Sequence, residues 1–253
     1  MARDDVFGGW ARAYSIIQGP DGQNMGREAD EDYYSRAAAD VSGKILEIGC
    51  GTGRISLRLL QEGHDVYGID SSEDQLAFLR SEAEARGLDP DVRRADMRDF
   101  DIEGEFELIL VPFNTFRHNL TIDDQLRTLR NVRAHLSETG RAIVDFSLPT
   151  REWYLDERVL TTEFTRDGSE YFLVESYQLV DEMEQILGIS RKLYEDGRLV
   201  GEVEYEYARI YRREFVHLLH RAGIEEWDAY AGFDHEPLED AGPALTAVWE
   251  LYK

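Results

Sequence analysis

The stretch Lys44-Ile-Leu-Glu-Ile-Gly-Cys-Gly-Thr-Gly53 sets an apolar run against three glycines at alternate positions, and Ile55, Leu59 and Leu60 follow at helical spacing. This predicts a buried strand that turns sharply into a helix. Glycines there let the backbone bend and let a ligand lie against the main chain without meeting Cβ atoms. The dinucleotide fingerprint Gly-x-Gly-x-x-Gly is not met, because its last position falls on Arg54 counted from Gly49 and on Ser56 counted from Gly51. Glu47 stands inside the apolar strand. A buried carboxylate is costly without a cation or strong donors, and an anionic pyrophosphate beside it would raise that cost.

Working outward, short apolar runs alternate with amphipathic stretches: Lys44–Ile48, Val66–Ile69, Val92–Arg94, Leu108–Val111 and Ala142–Phe146 read as strands. Leu76, Leu79 and Ala83, then Leu126, Leu129, Val132 and Leu136, mark helices between them. Such alternation predicts a parallel sheet covered on both faces. Residues 1–43 are polar and broken by Gly8-Gly9, Gly19-Pro20 and Gly22, so a helical cover with a mobile segment is expected. The core is expected over 44–150. Residues 151–211 read as an inserted antiparallel meander, with turns at Asp167-Gly168 and Asp196-Gly197. The last part, 212–253, reads as a helix from Arg213 to Ala222 stopped by Gly223, then closing strands at Ile224–Tyr230 and Leu245–Leu251.

Glu47-Ile-Gly-Cys-Gly-Thr-Gly53 resembles the first motif of class I S-adenosylmethionine-dependent methyltransferases. The resemblance implies a doubly wound, Rossmann-like α/β fold with a mostly parallel seven-stranded sheet, here with an antiparallel β insertion after the fifth strand. It also implies S-adenosylmethionine as cofactor, whose ammonium and sulfonium suit a nearby acid. In that family an acid ending the second strand holds the ribose hydroxyls, which is Asp70 in Gly68-Ile-Asp-Ser-Ser72. Capping the next helix is the competing role for Asp70, and Ser71 or Ser72 could cap equally well. Asp96-Met97 matches the site where an acid accepts from the adenine amino group and an apolar neighbour packs on the ring. Gly49, Cys50, Gly51, Gly53, Arg54, Ser71 and Val111 complete the implied cofactor set with Tyr14 and Tyr34; Tyr14 and the Tyr33-Tyr34 pair resemble N-terminal tyrosines that sugar-amine and glycine N-methyltransferases fold over the cofactor.

The fourth strand ends at Val111-Pro112-Phe113-Asn114, at the sheet edge where such folds place the reacting centre. Enzymes that methylate nucleobase amines resemble Asn/Asp-Pro-Pro-Tyr/Phe there, and this chain departs from that pattern. A small-molecule acceptor, methylated on nitrogen or oxygen, is the expectation. His118 is the best-placed base and Tyr14 its companion, with an ordinary structural histidine as the other reading. The segment Ala231-Gly232-Phe233-Asp234 through Pro237-Leu238 resembles an element near the C-termini of the same enzymes. The insertion is assigned to acceptor specificity, to a homodimer contact, or to covering an apolar patch. A non-catalytic cofactor binder of the same fold and a nicotinamide-dependent oxidoreductase are the competing functions.

With 52 acidic against 28 basic residues, the net charge of -24 disfavours nucleic acid as a partner. Lysine occurs only at positions 44, 192 and 253, and the acids are spread along the chain, a pattern resembling proteins of salt-loving cells. The single cysteine, Cys50, suits a reducing compartment. No apolar run approaches the roughly 20 residues of a membrane span, and the first residues lack a signal-peptide core. A soluble, cytoplasmic protein without a metal site is expected.

Overall fold

The computed structural model describes residues 5–18, 27–149, 158–238 and 246–253. The Gly19-Pro20 and Gly22 breakers, the 150/151 boundary and Leu245 lie outside them. Two helices come first, α1 (Ala11–Gln18) and α2 (Arg27–Ala39). The strand and helix series then runs β1 (Ile45–Ile48), α3 (Arg54–Gln61), β2 (Val66–Asp70), α4 (Glu73–Ala85), β3 (Asp91–Arg94), β4 (Phe106–Val111), α5 (Ile122–His135) and β5 (Leu136–Ser147). A four-stranded meander follows, β6 (Arg158–Arg166), β7 (Ser169–Asp181), β8 (Ile186–Glu195) and β9 (Arg198–Ala208). The chain closes with α6 (Arg212–Ala222), β10 (Trp227–Ala231) and β11 (Thr246–Tyr252).

The larger sheet has the order β10-β11-β5-β4-β1-β2-β3, parallel from β3 to β5 and antiparallel where β11 meets β5 and β10. It is the seven-stranded, Rossmann-like sheet expected, with the antiparallel insertion after the fifth strand. Alternate residues of β1 and β4 serve opposite faces. Leu46, Ile48, Ile109 and Val111 pack with α5 and α6, while Ile45, Leu108 and Leu110 pack with α2 and α3. Both faces are therefore dry, which is why these strands read as unbroken apolar runs. Two boundaries differ from the expectation: Leu136, expected on the helical stripe of α5, opens β5, and the closing strand starts later. Ile224 is not in the closing strand; its N–H bonds Leu219 O at 3.0 Å and Gly223 turns left-handed, so it seals the end of α6 instead.

The two N-terminal helices go to different places. α2 lies on the main sheet. α1 packs on the inner face of the insertion, where Trp10, Ala13 and Ile17 meet Leu173, Ile189, Val203 and Tyr205. Asp74 of α4 accepts from Gly9 N (3.0 Å) and Ala11 N (3.4 Å) at its start. Arg166 of β6 donates to Ser15 O (3.2 Å) and Ile16 O (3.1 Å) at its end. Free helix-end donors and acceptors thus tie α1 to core and insertion together. No helix among the described residues is long and apolar enough to cross a membrane.

Candidate functional site

The loop from β1 to α3 is shaped by close approach. Gly49 has φ 74°, and a Cβ there would stand 2.5 Å from Thr115 Cγ2. Gly51 has φ 53° and nothing nearer than 3.8 Å to such a Cβ, so its backbone borders open space. That space is a cleft of about 1450 Å3 at the carboxyl edge of the parallel strands, roofed by α1 and walled by the insertion. Among the expected residues, Tyr14, Glu47, Gly49, Cys50, Gly51, Arg54, Asp70, Ser71, Asp96, Met97 and His118 line it. Three others do not. Gly53 packs toward Leu79 of α4, where a Cβ would stand 2.7 Å away, and Val111 is spent in the core. Tyr34 is fully buried beneath the loop and gives its hydroxyl to Asp145, so its expected place over the cofactor is corrected.

Glu47 is nearly inaccessible, with the Ser56 hydroxyl donating to it, and burial pushes its pKa up to about 7. The nearest candidate cation is already taken. Arg54 donates to Asp30 of α2 at 2.7 and 2.8 Å and to Glu31 at 3.1 Å, so it latches the N-terminal cover onto α3. Asp70 Oδ2 accepts from Gly51 N (2.9 Å) and Oδ1 from Ser72 N (2.8 Å), while burial raises its pKa. Ser72, not Asp70, caps α4 through Gln75 N. Each Asp70 oxygen keeps a second lone pair. Arg98 donates to both Asp96 oxygens and reaches Asp124 at 3.2 Å, which fixes the loop after β3. Met97 sulfur accepts from Asn119 Nδ2 at 3.2 Å. Cys50 is buried and its thiol pKa is held far above normal, which makes it inert packing beside the loop.

At the other end the cleft is aromatic. His118, on a 3-10 turn over Thr115–His118, sits 5.4 Å from Phe7, 5.5 Å from Tyr205 and 4.7 Å from Tyr207, ring centre to ring centre. Tyr14 shares the lining, as does Arg191, which pairs with Glu175 at 2.8 Å. Arg117 stacks over Tyr207 at 4.6 Å, and its burial lowers its pKa to about 10. Phe7, Trp10, Arg191, Tyr205 and Tyr207 were not singled out from sequence. The period-two series Val203, Tyr205, Tyr207 was the available signal, and it gives a buried face without saying what the face meets. Between the two ends, Phe113 (φ 55°) and Asn114 (φ 65°) are both left-handed, a strain of about 1–3 kcal/mol each.

The two ends suit two different molecules. Glu47, with no cation paired to it among the described residues, the bare Gly51 backbone and the Asp70 carboxylate fit the charged methionine and ribose portions of S-adenosylmethionine. A polar aromatic pocket is left for a second molecule.

Residues 45–140 match a family model described as a methyltransferase domain. A glycine/sarcosine N-methyltransferase from Parasynechococcus marenigrum is 35% identical over 48% of this chain and 44% of its own length. A second, from Halorhodospira halochloris, is 28% identical over 75% of this chain and 68% of its own. The match to the first of these curated relatives therefore spans less than half of that protein. Among solved structures, the CcbJ methyltransferase from Streptomyces caelestis superposes with a TM-score of 0.80 at 22% identity, covering 99% of both chains. Residues 45–140 are thus similar to the methyltransferase domain of S-adenosylmethionine-dependent enzymes, carried here on the same overall fold as a solved methyltransferase.

Proposed function

We propose that the chain transfers the methyl group of S-adenosylmethionine to the amino nitrogen of a small, polar molecule. The observation that carries the reading is Glu47, a buried carboxylate at the cleft floor with a hydroxyl partner and, among the described residues, no cation paired to it. Glu47 receives the cationic methionine portion, Asp70 the ribose hydroxyls, and Asp96 with Met97 the adenine. Arg98, which donates to both Asp96 oxygens, holds that carboxylate at the cleft wall. The bound cofactor supplies a sulfonium methyl that is already activated. The chain's task is alignment in a water-poor space. The acceptor lies among Tyr14, His118, Tyr205 and Tyr207, and His118 takes the proton that the amine gives up. The choice of nitrogen follows the N-methyltransferase relatives.

The same reading puts the protein in a salt-rich cytoplasm, acting on a soluble acceptor rather than nucleic acid. Its supports are the charge of -24 and a lone, buried cysteine. Calorimetric titration with S-adenosylmethionine and S-adenosylhomocysteine, followed by methyl transfer to glycine, sarcosine and amino sugars, tests it. Micromolar binding, about -8 kcal/mol, is expected. Asp70→Ala should lose about 1–3 kcal/mol of that through missing charge-assisted bonds. Failure of the wild type to bind either ligand in low or molar salt overturns the proposal.

A further inference from the structure

We propose that Asp145 is a positioning residue that holds the Phe113-Asn114 turn, and with it the wall between cofactor and acceptor, in its left-handed shape. The inference rests on the function proposed above. Asp145 lies near the end of β5, is buried, and is absent from the cleft lining, so it cannot touch a ligand directly. It touches the turn instead. Its Oδ2 accepts from Phe113 N at 2.7 Å, and its main-chain oxygen accepts from Asn114 N at 3.1 Å.

Two adjacent left-handed residues that are not glycine need outside support. Asn114 carries some of its own, because its Oδ1 accepts from Ser147 N (2.8 Å) and Arg117 Nη1 (3.1 Å). The Phe113 side chain cannot tie the backbone by a hydrogen bond in that way, and its amide is held by Asp145. The same Oδ2 also accepts the Tyr34 hydroxyl from α2. One carboxylate oxygen thereby joins the N-terminal cover, the fifth strand and the turn.

The turn matters because of what it carries. Pro112, Phe113, Thr115 and His118 all line the cleft. Thr115 Cγ2 fills the space a side chain would need at Gly49, so the turn and the glycine loop are in register at van der Waals distance. A slack turn would disturb the cofactor loop and the aromatic end at once.

Amide hydrogen exchange of Phe113 and calorimetry with S-adenosylhomocysteine test this on Asp145→Leu, Asp145→Ala and Asp145→Asn at a temperature where each is folded. In the Leu and Ala variants the Phe113 amide should exchange at least tenfold faster and the ligand should bind about tenfold more weakly. Asp145→Asn keeps an acceptor oxygen and should stay within about threefold of wild type on both counts. Tyr34→Phe, which loses the hydroxyl but keeps the Phe113 bond, should lower the melting temperature and leave affinity within twofold. Undiminished Phe113 protection in the Leu or Ala variant overturns the proposal, and so does lost protection with unchanged affinity. If the wild type binds no S-adenosylhomocysteine, the methyltransferase reading fails by itself, and the exchange data still decide whether Asp145 holds the turn.

Discussion

Arg54 grips Asp30 through both terminal nitrogens, at 2.7 and 2.8 Å, in a pair whose side chains are 12% and 4% exposed. Removing one partner strands the other charge out of water, which costs more than the pair contributes. Arg54→Ala should therefore destabilise the fold by about 3–5 kcal/mol in urea unfolding. The exposed pair Arg86–Glu82, at 3.2 Å, is the control, and Arg86→Ala should shift stability by no more than about 0.5 kcal/mol. Equal effects would show that the latch is not special.

That latch also explains what the sequence concealed. Arg54 follows the glycine loop and so read as a ligand contact; it does line the cleft, but its donors go to α2. Tyr14 and Tyr34 looked alike, each an aromatic residue in a polar segment, yet only Tyr14 reaches the cleft. The face that α2 buries is decided by remote partners, Asp145 for Tyr34 and Glu250 for Tyr33, which spacing along the helix does not reveal. The parallel strands were readable because both faces of β1 and β4 are buried, so the apolar run carries the whole signal. The aromatic end was not, since Phe7, His118 and Tyr207 come from segments about 90 or more residues apart and meet only through packing.

Glu47 predicts a pH dependence. Its pKa is pushed up to about 7 by burial, above the ~4.3 of an unfolded chain, so the ligand-free fold favours the neutral acid. The stability it contributes is complete below ~4.3 and is lost as pH rises through about 7. The ammonium of a bound ligand needs the carboxylate, which reverses the preference. S-adenosylhomocysteine should then bind about tenfold more tightly at pH 8 than at pH 6. Glu47→Gln should bind more weakly and show a flat profile; a flat wild-type profile would remove Glu47 as the counter-ion.

Glycine substitutions separate strain from collision. Gly63 has φ 93° with nothing within 4 Å of an added Cβ, so Gly63→Ala should cost only the left-handed backbone, about 1 kcal/mol. At Gly49 the same strain is joined by Thr115 Cγ2 at 2.5 Å. Gly49→Ala should lose at least about 2 kcal/mol and most of its affinity for S-adenosylhomocysteine. A Gly49→Ala protein as stable as Gly63→Ala would mean that the turn at Thr115 yields freely, contrary to its tethering by Asp145 and Asn114.

The charge of -24 predicts the response to salt. Most of the acids are on the surface, where self-repulsion opposes the compact state and ions screen it, the screening length falling from about 10 Å at 0.1 M to 3 Å at 1 M. The melting temperature should therefore climb as KCl is raised from 0.1 to about 2 M, with most of the rise coming early. Surface ion pairs such as Arg80–Glu73 at 2.7 Å weaken over the same range, but exposed pairs contribute at most about 1 kcal/mol each, so the loss of repulsion should win. Using KCl alongside an equal concentration of sulfate separates screening from general salting-out, since sulfate strengthens apolar burial in any protein. A melting temperature that is flat in KCl and rises only in sulfate would show that the acidity is tolerated without being tuned to salt.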